Sequence, residues 1–274
     1  MHFGIVDQVV GELESCIGQP RPVRPDEPLW AGVDLGTAYI VVVVLNGRRQ
    51  PVACAMEFAR VIRDGLVVDY AGATRIVRGL VSGLEERLGR KLERAAIAVP
   101  PGTGDKESTT HRYVVEAAGM EVSAILDEPT AANAVLGIDN GAIVDIGGGT
   151  TGLSVFENGR VVYVADEPTG GTHMTLVLSG NYKISLADAE ALKTRADRHR
   201  EIFPVVRPVL EKMGSIVRRH IEGRNVPALY LVGGTCCLPG METVIASATG
   251  VPAFKPANPL LITPLGIALN CGGG

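Results

Sequence analysis

The hydrophobic positions of this chain change period several times, and each change marks an element. Phe3, Val6, Val10, Leu13 and Ile17 recur at intervals of three and four, which puts them on one face of a helix. "GQPRPVRPDEP", residues 18 to 28, follows with four prolines. Proline fixes φ and removes a donor, so this stretch reads as an extended linker. The helix either docks on its own domain or, on its tether, inserts into a partner's groove or shell.

Continuous apolar runs come next. "LWAGVDLG" and "AYIVVVVLNG" read as strands separated by a tight Gly36-Thr37 turn, and "QPVACAMEFA" as a third strand. In "ATRIVRGLVSGLEERLG" the period becomes helical, with Ile76, Leu80, Leu84 and Leu88 every four residues and Gly89 closing the helix. "AAIAVP" predicts a buried strand, residues Ser108 to Ala118 a helix and "EVSAIL" another strand. "EPTAANAVLG" predicts a helix with Pro129 in its first turn and Gly137 at its end.

The opening order then repeats. "GAIVDIGGGTTGLSVFENGRVVYVADE" runs strand, glycine turn, strand, Asn-Gly turn, strand, as does "WAGVDLGTAYIVVVVLNGRRQPVACAME" about 110 residues earlier. This is an internal duplication of a β-meander. Helices are predicted at 171–179, 186–195 and 205–222, the last with an apolar stripe through Val206, Leu210, Met213, Val217 and Ile221. "ALYLVGG" predicts a buried strand, and "PGMETVIASATG" and "PLLITPLGIALN" two more helices. The expected fold is α/β, with two similar lobes of mixed sheets flanked by helices and a cleft between them.

Composition narrows the classes. The 274 residues are 46% hydrophobic and 20% charged, enough for a core without long disordered tracts. A net charge of −4 and the lack of a long basic run argue against nucleic-acid binding. "YIVVVVL", the longest apolar run, is far short of the ~20 residues that span a bilayer, and the acidic, leaderless start argues against a secretory signal. Five cysteines without a CxxC spacing suit a reduced cytoplasm, with no disulfide framework and no zinc site.

Two stretches imitate nucleotide loops. In "VPPGTGDKEST", 99 to 109, Val99 replaces the first P-loop glycine and Asp105 separates Gly104 from Lys106. An acid there repels phosphate, so a surface turn into a helix capped near Asp105 or Ser108 is expected. "GGGTTG", 147 to 152, matches G-x-G-x-x-G, but a hairpin follows it rather than a helix. The duplication offers a better site. Asp34-Leu35-Gly36-Thr37 and Asp145-Ile146-Gly147-Gly148-Gly149-Thr150 each close a strand with an aspartate and a glycine turn. Bare amides in such turns bind anions. Two facing turns could grip one triphosphate while the aspartates hold a hydrated Mg²⁺; otherwise these are ordinary hairpin glycines.

These residues resemble the superfamily of sugar kinases, heat-shock chaperones and actin. "GVDLGT" is similar to its first phosphate motif, "IVDIGGGTTGLSVFENG" to its second and "LYLVGGTCCLPGM" to its adenosine motif. "ILDEPTAANAVLG" resembles the first connecting motif of DnaK-type chaperones, and "AEALK" after "GGTHMT" the bacterial actin homologues. The matches keep the superfamily's order from about residue 29 to 270. The finer pattern, with "LDEPTA", "ADEPTGG" and "ISLADAEALK", resembles an ethanolamine-utilization family whose operons build a bacterial microcompartment around a cobalamin-dependent ammonia-lyase.

The resemblance implies actin-like (ribonuclease-H-like) lobes at 29–133, with 259–274 returning to it, and at 134–258, preceded by the helix and linker of 1–28. ATP would lie in the cleft, with Mg²⁺ positioned through water by Asp34 and Asp145. Gly36, Thr37, Gly147, Gly148, Gly149 and Thr150 would hold phosphates, with Gly170 and Gly171 in the same binding set. Glu128 would orient an attacking water or merely cap its helix, whose dipole is expected to keep its basicity low. Glu190 and Lys193 would reach the nucleoside or form a surface ion pair. Gly233 and Gly234 would let adenine lie against backbone or only make a turn.

Three departures weaken the case for rapid hydrolysis more than for binding. Gly152 stands where chaperones carry an acid, Cys237 where they carry an arginine, and only Arg63 and Lys106 offer a loose match to the phosphate lysine. No second domain for holding peptide is expected. The implied protein is an ATP-binding, weakly hydrolysing chaperone or reactivation and assembly factor. Its implied partners are ethanolamine ammonia-lyase or microcompartment shell and enzymes, in the cytoplasm or with the compartment. Alternatives are a catalytically degenerate nucleotide-dependent scaffold, a small-molecule kinase or an actin-like filament. The amphipathic first helix would suit recruitment to a shell.

Overall fold

The computed structural model describes residues 3–63 and 65–272; Met1, His2, Gly273 and Gly274 of the predicted end segments, and Asp64, fall outside the described residues. The chain begins with α1 (Gly4–Ser15) and a meander of β1 (Trp30–Leu35), β2 (Tyr39–Leu45) and β3 (Pro51–Phe58). A short hairpin, β4 (Ile62–Arg63) and β5 (Leu66–Val67), leads to α2 (Tyr70–Leu88), β6 (Arg94–Val99), α3 (Asp105–Ala117), β7 (Glu121–Asp127) and α4 (Glu128–Leu136). The second meander is β8 (Gly141–Ile146), β9 (Thr151–Glu157) and β10 (Arg160–Glu167). After it come α5 (Gly171–Tyr182), α6 (Leu186–Thr194), α7 (His199–Ile221), β11 (Leu229–Val232), α8 (Met241–Thr249), β12 (Ala253–Phe254) and α9 (Ile262–Leu269).

The strands form two sheets of the same topology, β3-β2-β1-β6-β7 and β10-β9-β8-β11-β12. In each, the meander is antiparallel and the last two strands add in parallel. The duplication seen in the sequence thus extends to a whole five-stranded sheet. Parallel additions need crossovers, which the helices supply.

Each sheet packs its own helices on one face. Val77, Val81 and Leu84 of α2 cover the first sheet, and Met174, Leu178, Val206 and Met213 of α5 and α7 cover the second. A third apolar cluster belongs to both. It joins Val41, Val43 and Leu45 of β2 to Ile143, Phe156, Tyr230 and Val232 of the second sheet, around Ile262 and Leu265 of α9. Every residue of α9 from Ile262 to Ala268 is buried. A β-carbon at Gly266 would lie 1.8 Å from the Ala131 carbonyl oxygen, so α4 and α9 meet backbone to backbone.

Helix α1 takes the docked arrangement. Val10 and Leu13 enter the shared cluster, each burial stabilising by roughly 1.5–3 kcal/mol. Asp7 Oδ1 accepts from the Ala257 amide, and Glu14 Oε1 from Asn258 Nδ2. Ile17, expected on the helical face, instead makes a parallel bridge with Cys54 and stays 40% exposed. The linker lies along the β3 edge, its Arg21 amide bonded to the Val52 carbonyl, rather than running free as a tether.

Two helix starts differ from expectation, and three short strands go unannounced. Helix α7 starts at His199 rather than 205 and runs through Pro204 and Pro208; burial of Ile202 and Val206 outweighs the donors the prolines lack. Helix α3 starts at Asp105 with Gly104 as N-cap and no capping side chain. Hairpin β4–β5 and strand β12 are too short for periodicity to reveal. Among the described residues no helix is long and apolar enough to cross a membrane.

Candidate functional site

Strands β1 and β8 each end in an aspartate and a glycine turn, α4 begins at Glu128, and a Gly-Gly turn follows β11. These four ends face one cavity of about 310 Å³. Asp34, Gly36, Thr37, Glu128, Asp145, Gly147, Gly148, Gly149, Thr150, Glu190, Lys193, Gly233 and Gly234 all line it. Gly170 and Gly171 do not. The two glycine turns touch. A β-carbon on Gly148 would lie 3.1 Å from Ala38 Cβ and 3.4 Å from Thr37 Cβ, so the second turn rests its bare backbone on the first.

The second turn is fixed from behind. The Gly147 carbonyl accepts from the Gly171 amide (3.0 Å) and Thr235 Oγ1 (2.7 Å), and the Gly148 carbonyl from the Thr172 amide and hydroxyl (both 2.8 Å). No described peptide bond is cis. In a planar trans peptide the N–H points opposite to the C=O, so the Gly148 and Gly149 amides point away from α5. Gly170 and Gly171 thus correct their expected role: they let α5 abut the turn and hold it, rather than lining the cavity.

The acids crowd one another. Burial, then the charge of Asp145, pushes the Asp34 carboxyl up to about 7. Burial raises Asp145 to about 6, although the Thr263 hydroxyl, donating to Asp145 Oδ2 at 2.7 Å, opposes the rise. Glu128 is raised well above the usual carboxylate range by burial and then by Asp145, Asp34, Asp166 and Asp127. This corrects the expectation of low basicity. A helix N-terminus contributes at most about 2 kcal/mol, whereas desolvation and like charges shift such groups by several units. Capping of α4 falls to Asp127, whose side chain accepts from the Thr130 amide.

At the other end of the cavity Lys193 Nζ lies 2.7 Å from Glu190 Oε2, with both side chains about 15% exposed. The pair is therefore not a surface one. Thr175 Oγ1 donates to the same Glu190 oxygen, and Lys193 also reaches Thr175 and the Gly171 carbonyl. Tyr39 of β2 lines the same cavity, and burial, then the charge of Glu190, raises its hydroxyl above the usual tyrosine value. Gly233 has φ of +90°, and a β-carbon there would sit 2.3 Å from Asp145 Oδ1; only glycine permits this approach.

Arg63 and Lys106, the loose candidates for a phosphate-binding cation, are exposed and outside the lining. The P-loop lookalike is a turn closed by Thr103 on the Pro100 carbonyl, and only Pro100 of it reaches the cavity. The GGGTTG stretch passes into the β9–β10 hairpin, as its sequence predicts. Tyr39, Thr263 and Asp166 were missed. Tyr39 directly follows the first turn and could have been found there, but nothing in "PLLITPLGIALN" marks Thr263.

Carboxylate oxygens are hard donors, and mutual crowding raises their affinity for any cation as it does for a proton. Among the described residues no group of three or more His, Cys, Asp or Glu is arranged to ligate a metal directly. An ion that keeps its water shell, as Mg²⁺ does, fits such a set.

The chain has close relatives. A family model described as type IV pilus assembly protein PilM matches residues 110–261. The ethanolamine utilization protein EutJ of Salmonella typhimurium is 47% identical over 255 residues, 93% of this chain and 90% of that protein. The crystal structure of EutJ from Carboxydothermus hydrogenoformans is similar at a TM-score of 0.92 and 47% identity, covering 97% of this chain and 98% of the other. MreB5 of Spiroplasma citri bound to ADP shares the fold at a TM-score of 0.70 and 16% identity, over 88% and 95% of the two chains.

Proposed function

The chain belongs to the EutJ family of ethanolamine utilization proteins and matches the type IV pilus assembly protein PilM model over residues 110–261, and from that premise we propose that it binds ATP with Mg²⁺ in the cleft. The observation that carries this is the contact of the two glycine turns, Gly148 against Thr37 and Ala38, with Asp34 and Asp145 behind them. Gly36, Thr37 and the amides of Gly148 and Gly149 hold phosphate oxygens, and Asp34 and Asp145 bind water on the cation. Tyr39, Glu190 and Lys193 border the nucleoside. Bound Mg²⁺ supplies neutralisation of phosphate charge. Glu128, half-buried among acids, holds a water by hydrogen bonding and can accept its proton at a carboxylate oxygen.

The segments 29–133 and from 259 onward form one jaw in this reading, and 134–258 the other. Nucleotide favours closure by its greater affinity for the closed state, and closure grips or releases ethanolamine ammonia-lyase or microcompartment components. The role is that of a reactivation or assembly factor with weak turnover. Among the described residues the lining holds no lysine or arginine besides Lys193, and Lys193 is engaged by Glu190, which leaves little cationic help for a transition state. That same scarcity supports a second reading, a nucleotide-dependent scaffold without turnover.

Calorimetric titration with Mg-ATP tests the binding. Wild type is expected to bind, and Gly148→Val, which wedges the turns apart, to lose binding while keeping its circular dichroism. No heat from wild type at high protein concentration would remove the proposal. Phosphate release equal in wild type and Glu128→Gln would favour the scaffold.

A further inference from the structure

Directly opposed residues in neighbouring strands point to the same face of a sheet. Asp145 of β8 lies opposite Gly152 of β9, and Gly152 lies opposite Asp166 of β10. The three form one row, two acids flanking a position with no side chain. The equivalent row of the first sheet is Asp34, Val41 and Met56, so the duplication is broken at its second and third places. The space over Gly152 is already shaped. A β-carbon there would lie 3.4 Å from Pro101 Cδ and 3.6 Å from Asp166 Oδ1. The Asp166 carboxyl therefore leans over the glycine along the row towards Asp145, with Pro101 closing the gap. Asp166 is exposed to water, yet its charge is felt by both Glu128 and Asp145, which line the cavity.

Resting on the nucleotide reading above, we propose that Asp166 is a positioning residue of the site, acting across Gly152 on the water shell of the divalent cation that accompanies the nucleotide. Its carboxylate attracts the cation and repels the polyanion. Removing it therefore has opposite effects on the two, which loss of structure would not produce.

The experiment uses the full chain, with Mn²⁺ in the presence of ADP followed by electron paramagnetic resonance, and a fluorescent ADP analogue in EDTA. Asp166→Asn is expected to weaken Mn²⁺ binding about three- to tenfold, the size of one charge acting across water, and to tighten metal-free ADP. The double variant Gly152→Asp/Asp166→Asn, which moves the acid one strand inward, is expected to restore Mn²⁺ binding. Unchanged Mn²⁺ binding in Asp166→Asn, or a parallel loss of Mn²⁺ and metal-free ADP, overturns the role of Asp166 and leaves the nucleotide reading standing. Wild-type protein that binds no Mn²⁺–ADP overturns the nucleotide reading itself, and this role with it.

Discussion

Asp34 holds its proton to about pH 7 when folded, against an ordinary aspartate value near 4. The folded state thus binds the extra proton between those values, so this contribution is full below about pH 4 and is lost as pH rises through about 7. In EDTA at pH 8, Asp34→Asn should raise the melting temperature by about 2–4 °C, and at pH 4 the gain should be gone. Equal melting at both pH values would mean that the carboxyl is not desolvated. Gly233→Ala should cost roughly 2–3 kcal/mol in urea unfolding through backbone strain and the clash with Asp145. Gly152→Ala, which meets only ordinary contacts, should change stability by less than about 1 kcal/mol. At this scale the sequence made Asp34, Asp145 and the glycines of the two turns legible as cavity residues, because a duplicated turn is a local pattern. It concealed Thr263, which reaches the site through helix packing, and Asp166, which strand register sets in the row of Asp145, and it misjudged the basicity of Glu128, which depends on neighbours brought in by the fold.

Helix α1 is the element whose role the fold decides. Leu13 is fully buried while Ile5 is 81% exposed, so Leu13→Ala should cost about 2–4 kcal/mol and Ile5→Ala almost nothing. Two equally silent substitutions in thermal unfolding would place the helix off its seat in solution. Removal of residues 1–28 should lower the melting temperature more than Leu13→Ala does. If the same helix recruits the protein to a shell, it must leave this seat first, and recruitment should strengthen in Leu13→Ala. The amphipathic period was plain in the sequence, but periodicity reports only that a face wants cover. The identity of that cover, β3 and Tyr230 at the edge of the cluster common to both sheets, comes from distant parts of the chain. Strands and helices with strong periods were legible, whereas α7 was shortened because prolines override pattern locally and packing overrides the prolines.

For the whole molecule, the apolar cluster common to both sheets means that neither can unfold and leave the other's core dry. Calorimetry should show one cooperative transition, and two resolved peaks would contradict a shared core. Saturating Mg-ATP should move that single transition upward, by linkage. The two-sheet architecture was legible because the chain repeats itself, but the seam was not, since its residues are contributed singly from many elements. That seam also bears on how the protein is made. Helix α9 follows every strand in the chain and is covered on all sides once in place. A ribosome adding about 5–20 residues per second therefore completes both sheets some seconds before the piece that fills the space between them. During that interval the nascent polypeptide carries bare valines and isoleucines on two half-finished surfaces, the kind of exposed apolar area that favours aggregation.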